Sequence, residues 1–192
     1  MKHIKFVSNY PHYAPDGVGL IPTPQRIGAH PDYTGRGITI AFVDSGFSMH
    51  PDIAQRVITH ANASTNRVLE QPHVMETTDM SWHGQMTSVI GAGNGHVSGG
   101  KYRGVASESD LLFVKVSTPD YRIKENDILR GLRWLYDSRK RYNVRVINVS
   151  VGGDYESNDP KHPLHVIVKK LYDVGMVVVI AAGNSGKRGI VP

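Results

Sequence analysis

The sequence predicts an α/β fold in which a mostly parallel sheet lies between two layers of helices. Two observations carry this prediction. From Ile38 onward, short apolar runs alternate with amphipathic helical patterns, and that alternation is typical of parallel strands joined by helical crossovers. Polar residues that can bind ligands or take part in catalysis directly follow several of the runs. Such residues are found where ligands bind at the carboxyl ends of parallel strands.

Four apolar runs are predicted to form strands, and three of the segments between them are predicted to form helices. The strands are residues 38–43, 111–116, 144–149 and 176–181. One helix covers residues 125–142, a second covers residues 164–173, and a third opens at His83 and runs to the glycines at 91 and 93.

Side-chain spacing supports the two later helices. In the first of them, Ile128, Leu132 and Leu135 recur at steps of four and three, which places them on one face, with Trp134 and Tyr136 beside that stripe. The second ends just before Gly175, a residue type that commonly terminates helices.

The chain is predicted to consist of an arm, residues 1–37, and one folded unit, residues 38–192. The arm holds five of the eleven prolines, which favours an extended, loop-like conformation over a helix. Its first residues lack the apolar stretch of about seven to fifteen residues that a secretory signal requires. If Met1 is the native start, we expect a cytoplasmic protein.

Composition excludes several classes of protein. The 192 residues are 40% hydrophobic, and no run of about eighteen apolar residues exists that could cross a membrane. The net charge of +5 comes from scattered basic residues, and its densest group, residues 139–141, is interpreted as a helix end, so no nucleic-acid partner is expected. Because cysteine is absent, disulfides, thiolate metal sites and a cysteine nucleophile are excluded. The oligomeric state stays open.

Three polar residues stand in the settings that a serine peptidase needs. Asp44 follows the first apolar run, His83 stands at a predicted helix start, and Asn184 follows the last run. Each alone has an ordinary interpretation, since Asp or Asn before Ser-Gly is a common turn residue and one of ten histidines can be a surface group. Their convergence at one sheet edge is what favours catalysis.

The segments around these residues resemble the subtilisin-like serine peptidases, or subtilases. The similarity runs from about Tyr33 to Gly186 and follows the order of the family. It rests on Ala-Phe-Val-Asp44-Ser-Gly, His50-Pro-Asp52, His83-Gly84, Tyr102-Arg-Gly-Val-Ala106, Phe113-Val-Lys-Val116, Val146-Ile-Asn-Val-Ser150-Val-Gly-Gly153 and Ala181-Ala-Gly-Asn184-Ser-Gly. The resemblance implies the three-layer fold of that family and hydrolysis of polypeptide substrates by acyl transfer.

The same resemblance implies a role for each site residue. Asp44 would be the triad carboxylate, His83 the general base and Asn184 the side-chain donor to the oxyanion. Two segments would bind the substrate backbone and wall the specificity pocket: Ser150, Val151, Gly152 and Gly153 on one side, and Ala181, Ala182 and Gly183 on the other.

The chain departs from the family pattern in two places near these residues. Where relatives usually show Thr-His-Val-Ala after the His-Gly pair, this sequence has Gln85-Met-Thr-Ser, which changes the packing behind the base. The loop of residues 93–100 contains no carboxylate, and hard cations need oxygen ligands that include charged ones. We therefore expect no calcium, no other metal and no cofactor; Asp52 is either calcium-linked or a turn residue.

A third departure concerns the nucleophile. The family's serine lies in a Gly-Thr-Ser-Met segment that does not occur in this sequence, and Ser45, Ser98, Ser150 and Ser185 lie outside any Gly-x-Ser-x-Gly elbow. We expect the chain to be the amino-terminal part of a longer peptidase, with the sheet incomplete at its carboxyl-terminal end and an apolar strand edge left open. On its own it would be inactive.

Two other functions stay open at this point. A serine-less member of the family could bind an extended peptide along residues 150–153 without cleaving it. A nucleotide-binding protein of similar fold is disfavoured, because Asp44-Ser-Gly-Phe-Ser-Met stands where a Gly-x-Gly-x-x-Gly phosphate loop would be.

The arm contains one further similarity. Leu20-Ile21-Pro22 is similar to the short inhibitory segment of intracellular subtilisins, which lies across the active site until it is removed. A surface loop is the alternative interpretation of these three residues.

Overall fold

A six-stranded sheet forms the centre of the molecule. The computed structural model describes residues 20–71, 80–152 and 157–184. In chain order the strands are β1 (Thr39–Asp44), β2 (Val57–Asn62), β3 (Leu69–Gln71), β4 (Asp110–Lys115), β5 (Val144–Val149) and β6 (Val177–Ile180). They are arranged β3-β2-β4-β1-β5-β6, and all pairs are parallel except β2 with β3.

The predicted α/β architecture is confirmed, and two strands were missed. The four predicted strands are β1, β4, β5 and β6, each within one residue of its predicted ends. β2 was missed because Thr59, His60 and Asn62 interrupt its apolar pattern, although Thr59 and His60 are buried. β3 is three residues long and pairs antiparallel with β2 at one sheet edge, which is too short for a periodic signal.

Among the described residues, four α-helices accompany the sheet: α1 (Thr23–Arg26), α2 (Ser81–Ala92), α3 (Glu125–Ser138) and α4 (Pro163–Asp173). The arm was predicted to be extended, yet α1 forms in it because proline fits the first turn of a helix, where its missing N–H costs nothing. The predicted helix over residues 125–142 ends at Ser138. The chain then turns into β5 through Asn143, whose φ of 50° is left-handed.

The sheet is covered on both faces, and alternation along β1 and β4 shows this directly. Ala41, Val43, Leu112 and Val114 belong to one buried cluster with α3 and α4. Phe42, Leu111 and Phe113 belong to a second buried cluster that includes Ala92 of α2. Because side chains of a strand alternate between faces, Asp44 lies on the same face as Phe42 and is directed toward α2.

The outer edge of β6 is open among the described residues. Val177, Val179 and Ile180 are between 51% and 57% exposed. The sequence predicts an apolar strand edge at this position, and unpaired edges of this kind promote association between chains.

Close contact between α2 and the turn after β1 depends on Gly84. A Cβ at this position would overlap the carbonyl oxygen of Gly46 and lie 2.8 Å from the ring of Phe47. Ser88 Oγ donates to the Gly84 carbonyl at 2.7 Å, which braces the same turn of the helix. The absence of a side chain therefore sets how close α2 lies to the end of β1.

We predict that Gly84→Ala lowers the free energy of unfolding by about 3 kcal/mol, the upper part of the range for overpacking, because the backbone of Gly46 must move. Gly91→Ala is the matched control on the same helix, since its Cβ would meet only the Phe42 ring at 3.2 Å and alanine favours helix by about 1 kcal/mol. Urea unfolding measures both. If both variants lose the same free energy of unfolding, close contact between α2 and the turn after β1 does not depend on Gly84.

Candidate active site

The site begins with a carboxylate at the end of β1. Asp44 is 0% exposed, and its Oδ1 accepts the Ser45 N–H at 2.7 Å. The Ser45 hydroxyl lies 3.1 Å from the same oxygen and 2.9 Å from the Met80 carbonyl oxygen. A buried charge is tolerated only where hydrogen bonds or opposite charges compensate for lost hydration, so these donors are part of what allows Asp44 to sit here.

His83 is brought directly onto this carboxylate by α2. Its Nδ1 lies 2.7 Å from Asp44 Oδ1, although the two residues are 39 positions apart. An Nδ1–H that donates to a carboxylate fixes the imidazole tautomer and leaves Nε2 able to accept a proton. The His83 side chain is 35% exposed and packs edge-on to the Trp82 ring with the centroids 5.4 Å apart, so the imidazole remains within reach of a reactant.

Sequence reasoning missed one polar contact of this carboxylate. Thr87 Oγ1 lies 3.1 Å from Asp44 Oδ2, the oxygen opposite the one that His83 uses. The signal was present, because residues four apart on a helix share a face, and Thr87 is four positions after His83.

The first predicted substrate segment continues β5 beside Asp44. The Ser150 N–H donates to the Val43 carbonyl oxygen at 3.2 Å, and Ser150 Oγ accepts from Asn148 Nδ2 at 2.7 Å. Val151 packs partly against the larger buried cluster, and Gly152 is exposed. Gly153 lies outside the described residues.

The second predicted segment continues β6 at the same sheet edge. The Ala181 N–H donates to the Val149 carbonyl oxygen at 3.0 Å, and Ala181, Ala182 and Gly183 are all exposed. Gly183 has a φ of 82°, which favours glycine. Asn184 is exposed at the end of this segment, two strands along from β1, and within the described part of the chain it makes no hydrogen bond to Asp44 or His83.

Asp52 organises the loop that follows the carboxyl-terminal end of α2. Its Oδ1 accepts the Val97 N–H at 2.9 Å, and its main-chain oxygen accepts from Asn94 N–H at 3.0 Å and from Arg56 at 2.8 Å. Burial lowers the pKa of Arg56. Within residues 20–71, 80–152 and 157–184, no three His, Cys, Asp or Glu residues are grouped to hold a metal ion.

Leu20, Ile21 and Pro22 line a cleft together with Val89, Ile90 and Tyr102. Val89 and Ile90 are six and seven residues after His83 on α2, which is about 10 Å along the helix axis. These three arm residues therefore pack at the opposite end of α2 from His83, and this placement gives no support to inhibition by them.

None of the helices in the described part of the chain is long and apolar enough to span a membrane. Among the same residues, no serine donates a hydrogen bond to His83. The arrangement is thus a buried carboxylate and an accessible imidazole, beside two strand extensions with exposed main chain.

Comparison with known proteins agrees with this geometry. Residues 35–191 match the family model described as the Subtilase family. The chain is 33% identical over 163 residues to Serine protease AprX of Bacillus subtilis (strain 168), covering 80% of this chain and 34% of that protein. It is 32% identical over 181 residues to Subtilisin E of the same organism, covering 94% of this chain and 42% of that protein.

Solved structures show the same similarity. The S41 Psychrophilic Protease superposes with a TM-score of 0.68 at 27% identity, covering 86% of this chain and 53% of that one. Sphericase gives 0.68 at 25% identity, covering 86% and 54%. This chain spans between a third and a little over half of the length of these four proteins. The match over residues 35–191 shows that the chain belongs to the subtilase family.

Proposed function

We propose that this chain supplies the acid–base part of a serine endopeptidase that hydrolyses peptide bonds by acyl transfer. The observation that carries the proposal is the 2.7 Å hydrogen bond between His83 Nδ1 and the fully buried Asp44 carboxylate. In this role His83 Nε2 takes the proton of a serine hydroxyl as it attacks the carbonyl. Asp44 stabilises the imidazolium that forms, and His83 then returns the proton to the leaving amine.

The nucleophilic serine in this proposal comes from a segment outside residues 1–192. Two facts support it: no serine of the described residues donates to His83, and the relatives are two to three times as long as the part matched here. On its own the chain is proposed to be inactive.

Asn184 is proposed to donate its side-chain amide to the oxyanion of the tetrahedral intermediate. This proposal is supported by the position of Asn184, which follows β6 at the carboxyl-terminal edge of the sheet and is exposed. A donor aimed at charge that develops only in the transition state lowers the barrier without tightening substrate binding.

The substrate is proposed to be an extended polypeptide that lies between the two strand extensions. The substrate would have one segment on each side. The first is Ser150, Val151, Gly152 and Gly153, and the second is Ala181, Ala182 and Gly183. Main-chain pairing to an exposed strand gives affinity with little dependence on side chains, and among the described residues no heavy atom lies within 4 Å of a Cβ position at Gly152.

The proposal is tested by producing the chain with the coding sequence that follows Pro192 and measuring hydrolysis of an unfolded polypeptide. Activity is expected, and His83→Ala should abolish it. His50→Ala is the control, because His50 also follows β1 but its Nδ1 accepts from the Asp52 N–H instead of bonding Asp44. If the extended chain binds peptide without cleaving it, a peptide-binding module replaces the peptidase.

We predict that Asp44→Asn in the extended, active chain lowers kcat by about 10⁴, the loss typical of neutralising the triad carboxylate. The amide donates to Nδ1 and so favours the wrong imidazole tautomer. Asp52→Asn is the control, since it is also a buried aspartate after β1 and keeps an oxygen for the Val97 N–H. Kinetics with a chromogenic peptide measure both, and similar losses would remove the special role of Asp44.

We propose that the chain uses no calcium and no cofactor, because the Asp52 carboxylate is already engaged by Val97 N–H and the 93–100 loop has no carboxylate. The melting temperature is expected to change by less than about 1 °C when 1 mM calcium is replaced by a chelator. A calcium ion that bound the folded chain would instead raise the free energy of unfolding by about 2.7 kcal/mol at a concentration of 100 times its Kd. A clear calcium-dependent rise would overturn this.

A further inference from the structure

The contact between Thr87 and Asp44 places a hydroxyl where it can act on the catalytic pair. Thr87 Oγ1 lies 3.1 Å from Asp44 Oδ2, while His83 Nδ1 and the Ser45 N–H both use Oδ1. Among the hydrogen bonds of the described residues, Thr87 supplies the one donor to Oδ2. Because Asp44 is 0% exposed, bulk water does not reach that oxygen in its place.

The hydroxyl has two acceptors within reach and one proton to give. Thr87 Oγ1 is also 3.1 Å from the Gly84 carbonyl oxygen, the usual internal acceptor for a threonine on a helix. A hydrogen bond to a charged acceptor is roughly twice as strong as one between neutral groups. The Thr87 proton is therefore best used by the carboxylate.

Replacing Thr87 by valine isolates the contribution of its hydroxyl. Valine has the same shape as threonine but no donor, so the substitution changes chemistry more than volume.

We propose that Thr87 is a positioning residue of the proposed active site: its hydroxyl holds the Asp44 carboxylate oriented, and so keeps the His83 proton on Nδ1. With Oδ2 held by Thr87, Oδ1 faces the His83 Nδ1–H, and a carboxylate oxygen is a stronger acceptor than a neutral group. If the carboxylate were rotated away, Nδ1–H would lose this acceptor, and the share of His83 with its proton on Nε2, the nitrogen that must take the serine proton, would rise. The inference rests on the proposed function.

Other charged groups near the pair stay constant in the test. Lys115 of β4 is buried and is the register partner of Asp44. His50 and Asp52 follow β1 in the loop beyond Asp44, with the His50 ring 4.0 Å from the Asp52 carboxylate. None of them is altered in the variants below, so their effect on His83 is the same throughout.

The test compares three variants of the 192-residue chain by ¹⁵N NMR of the imidazoles at about pH 8, where histidine is ordinarily neutral. In the wild-type chain the His83 proton is expected on Nδ1. Thr87→Val should raise the share of Nε2–H and speed solvent exchange of the Nδ1 proton about tenfold, as expected for losing a hydrogen bond to a charged group. Thr87→Ser should restore both.

Ser88→Ala is the matched control, because Ser88 is fully buried on the same helical turn and its hydroxyl bonds only main-chain oxygens. It should leave the His83 signals unchanged. If Thr87→Val matches the wild type, or if Thr87→Ser behaves like Thr87→Val, the proposal fails. Should Thr87→Val not fold, neutron diffraction of the wild-type chain decides: a hydroxyl deuteron directed at Gly84 overturns it.

Because the readout is the tautomer and not hydrolysis, the two proposals fail separately. An extended chain without peptidase activity would leave the NMR result intact. Conversely, an active enzyme whose Thr87 variants keep the Nδ1 proton would remove only the role of Thr87.

Discussion

The structure depends on one constraint, which is that a carboxylate at the end of β1 lies fully out of water. Such a group is stable only when donors surround it, and three residues in two segments provide them: Ser45 in the following turn, and His83 and Thr87 on α2. The helix must therefore lie close to the strand end, and Gly84 is the residue that permits this approach. The geometry that stabilises Asp44 is the same geometry that orients the His83 imidazole.

The parallel sheet explains why residues far apart in sequence share one edge. β4, β1, β5 and β6 run in the same direction, so the segments after β1, β5 and β6 all emerge together. Asp44 and its helix stand at the first of these positions, and exposed main chain follows at the other two. This order places the Asp44–His83 pair at the same sheet edge as the two strand extensions, and the proposed peptide hydrolysis rests on that arrangement.

Much of the fold and the central pair could be predicted because their signals are local. Uniform apolar runs indicated β1, β4, β5 and β6. The buried face of α3 was indicated by Ile128, Leu132 and Leu135, which are all at most 3% exposed. β2 was not predicted because His60 and Thr59 are polar residue types, which do not indicate a buried strand. Their burial follows from the elements that pack around them. Thr87 was noticed as a departure in packing, but its hydrogen bond depends on how closely α2 approaches β1, which no local pattern encodes.

The most direct measurement of the central claim is site-specific alkylation by a peptide chloromethyl ketone, with the modified residue located by mass spectrometry. An imidazole whose Nδ1 proton is held by Asp44 and which lies beside a bound peptide should react at Nε2. The account predicts modification of His83 in the extended chain, much faster than at His50 or His96, and competition by unmodified peptide. Equal reaction at exposed histidines, without competition, would contradict it.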